Sequence, residues 1–165
     1  MPRRKRSNEN GYYHLINRGV EKRKVFLDYA DHKTFLELID ELKPINNFII
    51  HAYCLMDNYY HLLMEIKLQN LSTIMQQLNF SYACYFNKKY ARVGHLWQGR
   101  FKSWSINDEY YFNTVKRYIE QNPVRAGIAK DVGIFPWASC STKNKLLSKK
   151  DLDELDKFHR ARKKR

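Results

Sequence analysis

Few residues in this chain combine a reactive side chain with a spacing that lets two of them act together. If Tyr59–Ile66 is a β-strand, alternation puts Tyr59, His61, Leu63 and Glu65 on one face, and Tyr60, Leu62 and Met64 on the other. An imidazole at His61 can ligate a metal, although a lone histidine on a strand is more often structural. Tyr118 and Asn122 lie four residues apart in a helical segment and share a face. A tyrosine in an aromatic-rich helix is more often core. Three scattered cysteines, Cys54, Cys84 and Cys140, show no metal spacing and no disulfide framework, which fits a reducing compartment.

These side chains need elements to carry them. Tyr12–Arg18 reads as a strand ended by Gly19. A helix follows, capped by Asp28 or Asp31, with Phe35, Leu36, Ile39 and Leu42 on one face and Pro44 as its stop. Residues 48–66 read as a hairpin turned at Asp57-Asn58. Asn70 is placed to cap a second helix, whose apolar stripe runs from Leu71 to Phe86. Arg100–Ile106 reads as a strand. Asn107 is placed to cap a third helix that ends near Asn122, because the residue before Pro123 avoids helical geometry. Residues 124–142 read as irregular, and 150–161 as a polar helix. The order β-α-β-β-α-β-α predicts an α+β, ferredoxin-like (RRM-like) sandwich: a central antiparallel sheet with helices on one face. One domain spans 11–142, between a basic arm at 1–10 and a basic tail at 143–165.

Charge points to the partner. The chain has 165 residues and a net charge of +13, with 44% hydrophobic and 15% aromatic residues. That composition excludes a wholly disordered chain. No apolar run approaches the ~18 residues of a membrane span. Arg3, Arg4, Lys5 and Arg6 are basic, and residues 143–165 hold ten basic and four acidic side chains. No acidic residue occurs between Glu65 and Asp108. That stretch carries Lys67, Lys88, Lys89, Arg92, Arg100 and Lys102 among aromatics such as Phe80, Tyr85, Trp97 and Trp104. Cations follow a phosphate backbone and aromatic faces stack on unpaired bases, so nucleic acid is the favoured partner.

Several local strings resemble one family. Ala52-Tyr53-Cys54-Leu55-Met56-Asp57-Asn58-Tyr59-Tyr60-His61-Leu62-Leu63 is similar to the HUH motif of the insertion-sequence-200-like single-tyrosine transposases, and most of all to the REP-associated tyrosine transposases. The resemblance continues in Asn17-Arg18-Gly19, in Gly94–Ser103, in Arg117–Gly127 and in Pro136-Trp137-Ala138-Ser139, and covers about residues 11–140. It implies an enzyme that cuts and rejoins single-stranded DNA at the foot of a hairpin through a 5′-phosphotyrosine. Tyr118 matches the nucleophile. His61 and Asn122 match two ligands of a divalent cofactor, Mg²⁺ or Mn²⁺. Relatives occur as homodimers and as monomers, and the setting implied is cytoplasmic, on the nucleoid.

Tyr59 departs from the pattern: it stands where the family has its first histidine. A neutral phenol, with a pKa near ~10, is a poor ligand for a hard cation. Three outcomes stay open: a DNA-binding relic, an enzyme working at higher metal concentration, or a variant that traps a DNA complex. Beyond the arm, the DNA-contact candidates are Lys88, Lys89, Arg92, His95, Trp97, Arg100, Lys102, Lys116 and Arg117. Glu65 shares the face of Tyr59 and His61, as an additional ligand or as a solvated strand end.

Overall fold

A computed structural model describes residues 8–139. The basic residues Arg3–Arg6, the tail from 143 and the helix expected at 150–161 lie outside the described residues. The strands are β1 (Gly11–Arg18), β2 (Phe48–Leu55), β3 (Tyr59–Ile66) and β4 (Lys102–Ile106). The helices are α1 (Tyr29–Asn46), α2 (Leu71–Lys89), α3 (Glu109–Glu120) and the short α4 (Asn122–Arg125). The four strands form one antiparallel sheet in the order β2-β3-β1-β4. This is the expected βαββαβ topology with further helix at its end.

The helices do not all lie on one face, as the simplest version of the sandwich has it. Helices α1 and α2 pack over Leu15, Tyr60, Leu62 and Met64, while α3 packs Val115 and Ile119 over Ala52, Cys54 and Leu63 on the opposite face. The reason lies in β3. Leu62, Leu63 and Met64 are consecutive and all fully buried, so both faces of this central strand need cover. The second cluster is the smaller one and borders the polar residues described below.

Several boundaries differ from those expected: β4 starts at Lys102 and not Arg100, α3 ends at Glu120, and Asn122 opens α4 instead of closing the third helix. Helix α1 does not stop at Pro44 but runs through it to Asn46. Proline in the last turn gives up a single backbone donor, and Asn47, left-handed at φ 47°, closes the helix through its N–H to Lys43 O. The cap of α3 is Asp108 and not Asn107: its carboxylate accepts from Tyr111 N at 2.7 Å. Asp108 also places a negative charge at the positive end of the helix dipole. Gly19, by contrast, is required where it stands. A Cβ there would lie 2.3 Å from Arg23 O, and its N–H bonds Asn58 O at 2.9 Å, tying the end of β1 to the β2–β3 turn.

One polar cluster locks α1 to α2. Asp31 is fully buried and accepts from Leu27 N, Tyr85 Oη, Tyr90 Oη and Lys89 Nζ, at 2.9, 2.9, 2.6 and 2.9 Å. Burial alone would raise its pKa, but the hydrogen bonds, Tyr90 and Lys89 foremost, outweigh burial and hold it below the usual carboxylate value. A depressed folded pKa means that this stability is present above pH ~4 and is lost as pH falls through the folded value. We expect Asp31→Ala to cost about 2–3 kcal/mol, the scale of hydrogen bonds to a charged group. We expect Asp31→Asn to flatten the acid limb of the stability profile. Urea unfolding across the acid range measures both.

Candidate active site

β1 and β3 are neighbours, and their register sets Ile16 opposite His61 and His14 opposite Leu63. His14 and His61 therefore project from the same face, one diagonal step apart. Their rings stack at 5.2 Å, His14 Nε2 lies 3.0 Å from His61 Nδ1, and both residues are buried. On its other side His61 Nε2 meets Asn122 Nδ2 at 3.2 Å, and Asn122 Oδ1 accepts from the Tyr59 hydroxyl at 2.6 Å. An amide NH₂ can only donate. His61 Nε2 is then the acceptor, and Nδ1 holds the proton given to His14. Tyr59, Asn122, His61 and His14 form one directional run of hydrogen bonds.

Tyr118 stands over this run. Its ring centroid is 5.9 Å from that of His61 and 6.1 Å from that of His14, edge-on to both. The Arg125 guanidinium sits 3.9 Å from the centroid of the Tyr118 ring. The two candidates on this side do not share one uninterrupted helix. α3 ends at Glu120, and Asn122 opens α4 beyond Gln121. Gln121 keeps near-helical angles (φ −92°, ψ −1°), so the four-residue spacing still aims both side chains at His61. Glu120 is buried beside them, and burial pushes its carboxyl up to about 7.

Tyr59 is a neutral donor in this setting. Burial first, with Cys54 and Tyr118 adding to it, pushes its phenol up to about 12. Among the described residues no three His, Cys, Asp or Glu side chains cluster as a metal site. Glu65 faces away from this role: it pairs with His51 at 2.8 Å and Lys67 at 3.6 Å. The donors that do converge are His61 Nε2 and the Asn122 amide. As placed, the amide offers its NH₂ to His61 and its oxygen to Tyr59, so it must rotate, giving up both bonds, to set an oxygen beside His61 Nε2 for a hard divalent ion.

A family model described as "Transposase IS200 like" matches residues 7–122, more than half of the chain. The chain belongs to the IS200-like transposase family. The matched span contains His14, Tyr59, His61, Tyr118 and Asn122. A solved REP-associated tyrosine transposase bound to a REP hairpin is similar in fold, with a TM-score of 0.70 at 18% identity over 84% of this chain and 82% of that one. A Deinococcus radiodurans protein assigned as a transposase gives a TM-score of 0.50 at 18% identity, over 73% of this chain and 97% of that one. No curated protein matches by sequence.

The remaining candidates in this IS200-like chain fall into three groups. Lys116 and Arg117 are half-buried on α3 next to Tyr118. Lys102 is exposed on β4 opposite Ile16. Lys88, His95 and Arg100 are also exposed, and no helix among the described residues is long and apolar enough to cross a membrane. The others are already engaged: Lys89 bonds Asp28 and Asp31, Arg92 bonds Asn87 Oδ1, and Trp97 is buried with Nε1 donating to Asn79 O at 3.0 Å.

His14, like Arg125, is a site residue that sequence reasoning missed. Its only local signal is an imidazole on the Tyr12/His14/Ile16 face of a strand. Its partner lies 47 residues away, and although the expected fold sets β1 beside β3, nothing local gives the register that brings His14 to His61. We expect His14→Leu to strand the Nδ1 proton of His61 in a buried place, at a cost of about 1–3 kcal/mol. His14→Gln, which keeps an acceptor, should recover part of it. Chemical denaturation of the two variants compares these costs.

Proposed function

We propose that this chain is a strand transferase for single-stranded DNA at hairpins, with Tyr118 as nucleophile. The observation that carries this is the convergence of Tyr118, His61 and Asn122 from α3, β3 and α4 on one spot. The fold likeness to a transposase solved on a REP hairpin supports the choice of substrate. In cleavage the Tyr118 oxygen attacks phosphorus, the phenol gives up its proton, and the bond from phosphorus to the 3′ oxygen breaks. The 5′ phosphate stays on Tyr118 and the leaving strand departs with a 3′ hydroxyl. Attack by a 3′ hydroxyl on the phosphotyrosine reverses the step and reseals DNA without an external energy source.

A divalent ion, Mg²⁺ or Mn²⁺, would be held by His61 and Asn122, and would offset the charge that develops on the phosphate. The protein contributes the rest. His14 holds His61 with Nε2 as the lone-pair side. Arg125, stacked on the Tyr118 ring, puts a cation where a phosphate would approach. Tyr59 supplies a neutral O–H at the position nearest Asn122. The test is a labelled hairpin-bearing single strand incubated with Mg²⁺ or Mn²⁺ over a range of concentrations. A denaturant-resistant protein–DNA adduct supports the transferase. Tight hairpin binding with no adduct at any metal concentration would mean a binding protein derived from the family.

Binding itself should depend steeply on salt. Each phosphate neutralised adds roughly 0.7 to 0.9 to the slope of log affinity against log salt. Deleting residues 1–6 removes four of the cations, so the slope should become shallower and affinity should fall. Fluorescence anisotropy over a salt series measures both, and a flat profile would contradict a DNA substrate.

A further inference from the structure

We infer that residues 135–139 are a clamp that positions Tyr118 and Asn122 over His61, and that the contact of Trp137 with a neutral His32 holds the clamp shut. This role rests on the reading of Tyr118 as nucleophile and adds the residues that keep it in place. The chain leaves the candidate site through α4, turns at Gly127 in left-handed geometry (φ 74°), and comes back to the outer edge of β2. There Leu55 N donates to Trp137 O at 2.8 Å, Ser139 N to Tyr53 O at 2.9 Å, and Tyr53 N to Ser139 Oγ at 2.7 Å. The α3–α4 unit is thus tied to the sheet at both ends, by β4 before it and by this edge after it.

The segment grips both faces of the sheet. Phe135 and Ala138 pack against the smaller apolar cluster, alongside Tyr59 and Tyr118, while Trp137 packs against the larger one. The Trp137 ring reaches α1, stacking on His32 at 4.5 Å and 14° and meeting Tyr29 edge-on at 5.1 Å. Phe26 also stacks on His32, at 4.9 Å. Of α3 itself only Thr114, Val115, Ile119 and Glu120 are buried, so its own hold on the sheet is modest. Where its last turn sits, and with it Tyr118, depends on the anchor beyond α4.

His32 makes the clamp conditional on pH. Its Nδ1 lies 2.9 Å from Asp28 O, a carbonyl that can only accept, so Nδ1 carries the proton. Nε2 is buried and meets no hydrogen-bond partner. Neutral, that nitrogen is a lone pair among aromatic rings; protonated, it is a buried charge and an N–H without an acceptor. Burial lowers the His32 pKa and outweighs the carboxylates that favour the charge, Asp28 and Asp31 at the start of α1 and Asp57 in the β2–β3 turn. Those carboxylates already pair with Lys89 of α2 and with Lys24, and residues 135–139 bring no charge of their own. With a depressed value in the docked state, docking is at full strength above the ordinary histidine value of ~6.5. It weakens by up to about 10-fold per pH unit below that value, and this contribution is gone once pH falls through the docked one.

Hydrogen exchange of the full chain, read by mass spectrometry, tests the clamp together with the single-turnover rate of adduct formation. At about pH 8, Trp137→Ala should speed exchange in α3 and α4 by about 10-fold or more and leave α2 unchanged. It should slow adduct formation at saturating hairpin DNA by about 10- to 100-fold, the scale of a slightly misplaced reacting group, while hairpin affinity stays within about 2-fold. Trp137→Phe, which keeps a ring on His32, should recover most of both. Relative to intrinsic exchange, lowering the pH of wild type to about 5.5 should loosen α3 and α4 as Trp137→Ala does. His32→Phe keeps the stack and cannot take a proton, so it should not respond in this way. Equal exchange in wild type and Trp137→Ala, or loosening spread evenly over α2, overturns the clamp. An identical pH response in wild type and His32→Phe overturns the part given to His32. Exchange is read without DNA, so it decides the clamp whether or not wild-type protein forms an adduct.

Discussion

Tyr118→Phe should eliminate the covalent protein–DNA adduct while hairpin affinity changes by less than about 2-fold. Phenylalanine keeps the ring that packs beside His61 and His14 and that receives the Arg125 guanidinium, and removes only the oxygen. Without that oxygen there is nothing to bond to phosphorus, and residual cleavage should fall to what binding and the rest of the site supply. Losing a nucleophile that acts as part of a unit commonly costs a factor of about 10⁶ in turnover. Gel separation under denaturing conditions, with anisotropy on the same preparations, distinguishes lost chemistry from lost binding. An adduct of undiminished yield in Tyr118→Phe would move the nucleophile to another tyrosine, Tyr59 being the nearest alternative in this site.

Tyr59→His should raise divalent-ion affinity by at least about 10- to 100-fold, the range that even outer partners of a metal site produce. Tyr59 and His61 share a face of β3, their rings 5.3 Å apart, and the Tyr59 hydroxyl already reaches Asn122. A histidine at 59 would put a second imidazole beside the two donors that converge. The native phenol, pushed up to about 12 by burial, does not ionise at neutral pH to compete for that role. Cleavage at low metal should rise with affinity, and hairpin binding should hardly move. Mn²⁺ titration followed by electron paramagnetic resonance measures the first effect directly. His61→Ala should act in the opposite direction and remove metal binding in both backgrounds. Unchanged affinity in Tyr59→His would mean that the ion is held elsewhere.

Much of the fold is legible in the sequence because its signals are local. The apolar runs on either side of the Asp57-Asn58 turn and the apolar stripe of α2 each fix an element within a few residues. The cover on both faces of the sheet was legible in principle, since Leu62, Leu63 and Met64 form a continuous apolar run. The path of α1 through Pro44 was not. It depends on how little one lost donor costs in a last turn and on Asn47 adopting a left-handed cap. Within the site, His61, Tyr118 and Asn122 came from motif strings, and Tyr59 from a departure within one. His14 and Arg125 needed the three-dimensional structure. One acquires its role from strand pairing across 47 residues, and the other from the turn of α4 back over α3. The seven-residue spacing of Tyr118 and Arg125 allows a shared helical side, but nothing local says that the chain stays near-helical through Gln121 and Pro123.

The most direct measurement of the central claim is peptide mapping of the adduct. A hairpin-bearing single strand, cleaved in Mn²⁺, is digested with nuclease and protease, and the modified peptide is sequenced by mass spectrometry. The account predicts a single phosphotyrosine at Tyr118, with the strand 5′ of the cut released bearing a free 3′ hydroxyl. No adduct across the accessible metal range, or a modification confined to Tyr59 or another side chain, would contradict it.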